Sequence, residues 1–121
     1  MGRLTAGGSK ALLRLGGLPL IERSIQRMHS IGIEDVIVVV GANAPSVERA
    51  VARVAPHGAR TMLAERWDDG NGASLAAAEP ELVDDPLFLV MVGDHLFSDG
   101  ALDALASASQ PCVLVDEHPD P

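Results

Sequence analysis

The sequence predicts an α/β domain: a mostly parallel, Rossmann-like sheet with flanking helices. Two observations predict the architecture. Short β-branched or apolar runs such as "VIVVVG" and "LFLVMVG" alternate with stretches of helical period. Hydrophobic residues make up 47% of the chain, yet aromatics make up 2% and Tyr is absent, so the core must be Val, Leu, Ile and Ala, as in sheets buried on both faces. The length, 121 residues, suits one domain.

The elements follow in order. Met1 to Gly17 is Gly-rich and reads as loop, ending in Gly16-Gly17. Pro19 is placed to open a helix reaching about Ile31, with Leu20, Ile21, Ile25, Met28 and Ile31 near one face and Gly32 as its stop. "DVIVVVG", Asp35 to Gly41, is a strand buried on both faces. Asn43 and Pro45 signal a second helix, whose stripe is Val47, Ala50, Val51 and Val54; Pro56 and Gly58 end it. "RTMLAE", Arg60 to Glu65, is a short strand, and "RWDDGNGAS" is a polar loop. "SLAAAEPEL" begins as helix and is broken or ended by Pro80. "LFLVMVG" is a strand, "SDGALDALASA" a helix capped by Ser98 or Asp99, and "CVLVDE" a last strand that buries Cys112. There is no internal repeat or linker.

Composition excludes some functions. A formal net charge of −8 disfavours non-specific binding to nucleic acid, where Lys and Arg must neutralise phosphates. One cysteine forms no intrachain disulfide. Neither long apolar run can cross a bilayer, and the N-terminus lacks the apolar stretch of a signal peptide, so a cytoplasmic protein with no membrane segment is expected.

Three segments could carry chemistry. "GDH", Gly93 to His95, ends a strand on a carboxylate, where an open α/β sheet takes ligands. Asp94 there is suited to hold Mg²⁺ beside phosphate oxygens; capping a turn or the next helix is the plainer role. Lys10 is the single lysine against eight arginines and lies in a Gly-rich loop, a place for a compact ammonium beside phosphate or for an ordinary solvated side chain. "DGNGAS", Asp69 to Ser74, leaves backbone amides open at a helix start, and is equally a helix-entry turn.

Together the segments resemble a family. Arg3-Leu4, "SKALLRLGGLPLIERSI", "VIVVVG", "GNGASL" and "VGDHLF" occur in the order seen in the N-terminal half of sugar-phosphate nucleotidyltransferases. Met1 to Leu4 resembles the end of that family's L-A-A-G-x-G-x-R signature, and Ser9-Lys10 stands where Pro-Lys is usual. The "GNGxSL" and "GDHxF" forms are most similar to CTP:inositol-1-phosphate cytidylyltransferases. The resemblance implies a nucleotide-diphospho-sugar transferase type of fold, with residues 1–121 a partial domain, incomplete at both ends. The first strand, which lies centrally in the family's sheet, and the acceptor half have no counterpart here.

The resemblance also implies roles. Arg3 and Lys10 would be catalytic, stabilising the triphosphate and the charge that develops in transfer. Gly2, Gly72, Ala73, Ser74 and Asp94 would bind the nucleotide, and Asp94 would hold Mg²⁺. His95 is not assigned as a base. The partners would be CTP and a phosphorylated sugar or polyol such as inositol 1-phosphate. Other nucleotides (dTTP, UTP or GTP) or phosphocholine as acceptor remain open, as does a non-catalytic remnant that binds nucleotide. Taken alone, the 121 residues are expected to turn over poorly and to self-associate through unpaired strand edges.

Overall fold

The computed structural model of the chain describes residues 10–41, 44–54, 58–91, 98–113 and 115. A short 3-10 turn, Lys10–Leu12, leads into β1 (Arg14–Leu15) and β2 (Leu18–Pro19). These two pair as a small antiparallel hairpin. Gly16 and Gly17 form its two-residue turn, both at positive φ (62° and 84°), the backbone that suits the twist of the flanking strands. So the end of the expected loop is a hairpin. Arg14 closes it by donating from Nη1 to the Gly17 carbonyl at 2.7 Å, and Arg23 Nε donates to the Leu15 carbonyl at 2.7 Å.

Helix α1 runs over Leu20–Ser30, with Pro19 in the cap position just before it. Its apolar face buries Leu20, Ile21 and Ile25, the last 1% exposed. The helix ends as its sequence dictates. Gly32, at φ 92°, donates to the His29 carbonyl, and Ile33 donates to the Met28 carbonyl. That pair of bonds is a Schellman cap, and Met28 and Ile33 both pack against the core beside it.

Strand β3 (Val36–Val40), helix α2 (Ala44–Ala52) and strand β4 (Ala59–Leu63) form a βαβ unit, with the strands parallel and in register from Val36 opposite Ala59 to Val40 opposite Leu63. The alternation of the strand selects one face for the core: Val36, Val38 and Val40 are buried, while Ile37 and Val39 on the other face are half-buried. The expected stripe of α2 packs onto that face, with Val47, Ala50, Val51 and Val54 joining Ile21 and Ile25 in one cluster. Each buried Val or Ile side chain stabilises by roughly 1.5–3 kcal/mol. Glu22 is buried among them and accepts from Arg53 Nη1 at 2.9 Å, a partner that a buried carboxylate requires; the pair ties α1 to the end of α2.

Helix α3 spans Asn71–Leu82 and lies against β3 and β4. Arg60 of β4 fastens it: its guanidinium reaches Asp35 before β3 at 3.4 Å and Glu81 in the last turn of α3 at 3.1 Å. The hydrogen bond to Asp35, then that to Glu81, raises the Arg60 pKa from its ordinary value. Contrary to the expected break, α3 continues through Pro80. Pro80 lies in the final turn, so the helix loses one N–H bond near its end and not in its middle. Helix α4 covers Asp99–Ala106, and the cap is Ser98, whose Oγ accepts from the Ala101 amide at 3.2 Å.

Among the described residues, two expected strands are not formed. Residues 87–91 of "LFLVMVG" and the described part of "CVLVDE" are irregular. Leu87, Phe88, Val90, Val113 and Val115 are exposed, and Cys112, expected in the core, is exposed too. The physical reason is pairing. A strand needs a neighbour for its backbone groups, and β3 and β4 form a two-stranded sheet among the described residues. No described strand takes the central place that would join "LFLVMVG" to β3.

Candidate functional site

Chemistry in a parallel sheet gathers at the carboxyl ends of its strands. Here that edge is formed by Val40 and Leu63, which close β3 and β4 in the same direction. After β4 the chain makes a turn, a short 3-10 segment at Trp67–Asp69, and then Gly70, at φ 105°, which leads into α3. Arg66 Nε and Nη2 grip Asp69 Oδ2 at 2.6 Å, so one carboxylate in front of the helix is neutralised.

The start of α3 bears the expected nucleotide-binding residues. Gly72, Ala73 and Ser74 lie in its first turn, not in the loop before it; the helix begins at Asn71. Gly72 is exposed, and Ala73 and Ser74 are half-buried. The Ala73 and Ser74 amides donate back to the Gly70 carbonyl at 3.2 and 3.4 Å. No side chain caps this terminus, so its leading N–H groups carry the positive end of the helix toward whatever lies before it. A methyl placed on Gly72 would meet no described atom within 4 Å. Among the described residues, the space a ligand would need for close approach to this backbone is therefore open.

A groove of about 400 Å³ continues from Gly72 along α3, walled by Leu75, Ala76, Leu82 and Phe88, with Glu79 as its carboxylate. Its lining is mainly apolar, which suits an apolar group better than phosphate.

Lys10 sits elsewhere. It opens the first 3-10 turn, is exposed, and belongs to a segment lying against α1 and α2. Ala11 and Leu12 pack on the core cluster, as does Ala44 at the start of α2, and so anchor the turn that carries the ammonium. Lys10 and the α3 residues thus stand on different elements with different principal neighbours. Gly2, Arg3, Asp94 and His95 lie outside the described residues.

Among the described residues no group of three or more His, Cys, Asp or Glu side chains forms a metal site. A single hard carboxylate, with substrate phosphates and water completing the shell, is the usual way Mg²⁺ is held. Also among the described residues, no helix is long and apolar enough to cross a membrane.

Sequence reading missed one feature at this edge. Trp67 is half-exposed and lies against Gly41, the residue after β3. The available signal was the chain's single Trp placed within a polar turn.

Known proteins are similar to this chain in sequence. The chain is 33% identical over 133 residues to a nicotine blue oxidoreductase of Paenarthrobacter nicotinovorans, covering 98% of this chain and 64% of that protein. It is 27% identical over 92 residues to a bifunctional protein GlmU of Pseudoalteromonas atlantica, covering 76% of this chain and 19% of that one. It is 26% identical over 100 residues to a bifunctional IPC transferase and DIPP synthase of Aquifex aeolicus, covering 83% and 23%. The chain spans less than two thirds of the length of each of these relatives. No solved structure matches it significantly. The MobA-like NTP transferase domain model matches residues 1–120, nearly every residue from the Gly-rich start through the parallel pair to α4 and beyond, and the chain belongs to that family.

Proposed function

We propose that the chain carries the nucleotide side of a nucleotidyltransferase that moves a nucleoside monophosphate, CMP from CTP, onto a sugar or polyol phosphate such as inositol 1-phosphate. The observation that carries this reading is the opening of α3, a helix start with no side-chain cap and open space beside Gly72, at the carboxyl edge of a parallel pair. Family membership and the IPC transferase relative support it.

An acceptor phosphate oxygen attacks the α-phosphorus, the bond to the bridging oxygen breaks, and pyrophosphate leaves with its electrons. Such a reaction depends on positioning and on stabilising charge more than on a protein acid or base. Arg3 and Lys10 offset the charge of the triphosphate. The backbone of Gly2, Gly72 and Ala73, with Ser74, holds the nucleotide. Asp94 holds Mg²⁺, which when bound supplies positive charge at the phosphates.

The test is pyrophosphate release by the chain extended to the family's full catalytic length. CTP, dTTP, UTP and GTP are each offered with phosphorylated polyols and sugars, inositol 1-phosphate first. We expect acceptor-dependent and Mg²⁺-dependent release from CTP. No release from any pair contradicts the reading. It would favour a second one, an oxidoreductase, the activity for which the Paenarthrobacter relative is named.

A second copy of the chain is a proposed partner of the 121 residues alone. Leu87, Phe88, Val90, Val113 and Val115 expose apolar side chains, and none of them lies in a described strand. Sedimentation velocity should find dimers or larger species that grow with concentration, and a monomer throughout would refute this.

A further inference from the structure

We propose that Trp67 is the platform on which the nucleobase stacks. The proposal rests on the nucleotidyltransferase reading and adds to it a residue that contacts the base. Three observations lead to it.

The first is the seat. A Cβ at Gly41 would collide with Trp67 Cβ and Cγ, so the missing side chain at position 41 is the room in which this indole rests. The second is location. Gly41 directly follows Val40, the last residue of β3, so Trp67 meets the chain at the carboxyl end of that strand, the edge where such sheets take ligands. Three residues beyond Trp67, Gly70 opens into the first turn of α3. The third is exposure. Although Trp67 rests on Gly41, 48% of it is open to solvent. Held at its root and bare over much of its surface, an indole offers a flat apolar face of low conformational entropy.

A nucleobase is the ligand such a face suits. Every base has a π-face, and stacking on an aromatic side chain is tolerant of base identity. Trp67 would therefore supply affinity. Reading of the base edge would remain with the backbone of Gly72 and Ala73 and with Ser74.

The chain has one Trp, so its indole emission reports on this residue alone. The experiment titrates the chain with Mg·CTP and with inorganic triphosphate, following Trp fluorescence and heat in parallel, and repeats the heats with Trp67→Leu and Trp67→Phe. We expect CTP to change the emission with the same Kd as the heat, and inorganic triphosphate to leave it unchanged. Trp67→Leu should weaken CTP about 10-fold or more, on the scale of losing one stacking contact. It should leave inorganic triphosphate affinity unchanged, and Trp67→Phe should keep most of the CTP affinity. If Trp67→Leu binds CTP like the parent, this inference fails while the nucleotidyltransferase reading stands. Equal weakening of CTP and triphosphate would make Trp67 a purely structural residue and also overturn it. A parent that binds no nucleotide overturns both.

Discussion

Asp94→Asn should abolish Mg²⁺-dependent binding of CTP while leaving the fold intact. The substitution keeps the shape of the side chain and removes its charge. Mg²⁺ is a hard cation that takes oxygen ligands and is usually held by one or two carboxylates beside phosphate oxygens, so a neutral amide is a poor replacement. Disturbing even an outer-shell partner of a metal typically weakens its binding 10- to 100-fold. Loss of the proposed ligand's charge should therefore cost about 100-fold or more. Calorimetry with CTP in the presence and absence of Mg²⁺ measures this directly, and circular dichroism checks the fold. If the variant binds Mg·CTP with the parental affinity, Asp94 is a turn or helix cap and not a ligand.

Lys10→Ala should lower kcat/KM by about 10²-fold in a form of the protein that turns over nucleotide, the scale of losing one preorganised charge stabiliser. That corresponds to about 2.7 kcal/mol of transition-state stabilisation. The motivation is local. Lys10 is the single lysine, and the turn it opens is fixed by Ala11 and Leu12 on the core cluster, so its ammonium projects from an ordered base. Lys10→Arg keeps the charge but spreads it over a planar fork, and should recover part of the activity. Turnover by Lys10→Ala at the parental rate would mark Lys10 as an ordinary solvated side chain.

What could be read in the sequence was what local spacing decides. The stripes of α1 and α2 follow from apolar residues three and four apart, and β3 from five consecutive β-branched residues. Gly32 stopped α1 because a Schellman cap needs a residue at positive φ there. Pro80 misled because its rule concerns helix interiors, and here it falls in the last turn. "LFLVM" and the described residues of "CVLV" misled for a deeper reason. A strand is made by its neighbours, and nothing within a run of apolar residues states which chain segment lies beside it. The burial expected of Cys112 failed with the strand that was to bury it.

The site divides in the same way. Gly72, Ala73 and Ser74 are candidates singled out by their motif, and the structure adds that they form the first turn of α3. The seat of Trp67 on Gly41 was invisible, because it joins the end of one strand to a turn beyond the next. The absence of a side chain at position 41 has a meaning only once the indole is beside it.

If this chain presents a nucleoside triphosphate site at the carboxyl edge of its sheet, titration calorimetry of the 121 residues with CTP and Mg²⁺ should reveal it. We expect saturable binding at one site per chain, dependent on Mg²⁺, with CTP bound more tightly than dTTP, UTP or GTP. Absence of saturable heat with all four nucleotides, from a chain that circular dichroism shows to be folded, would contradict it.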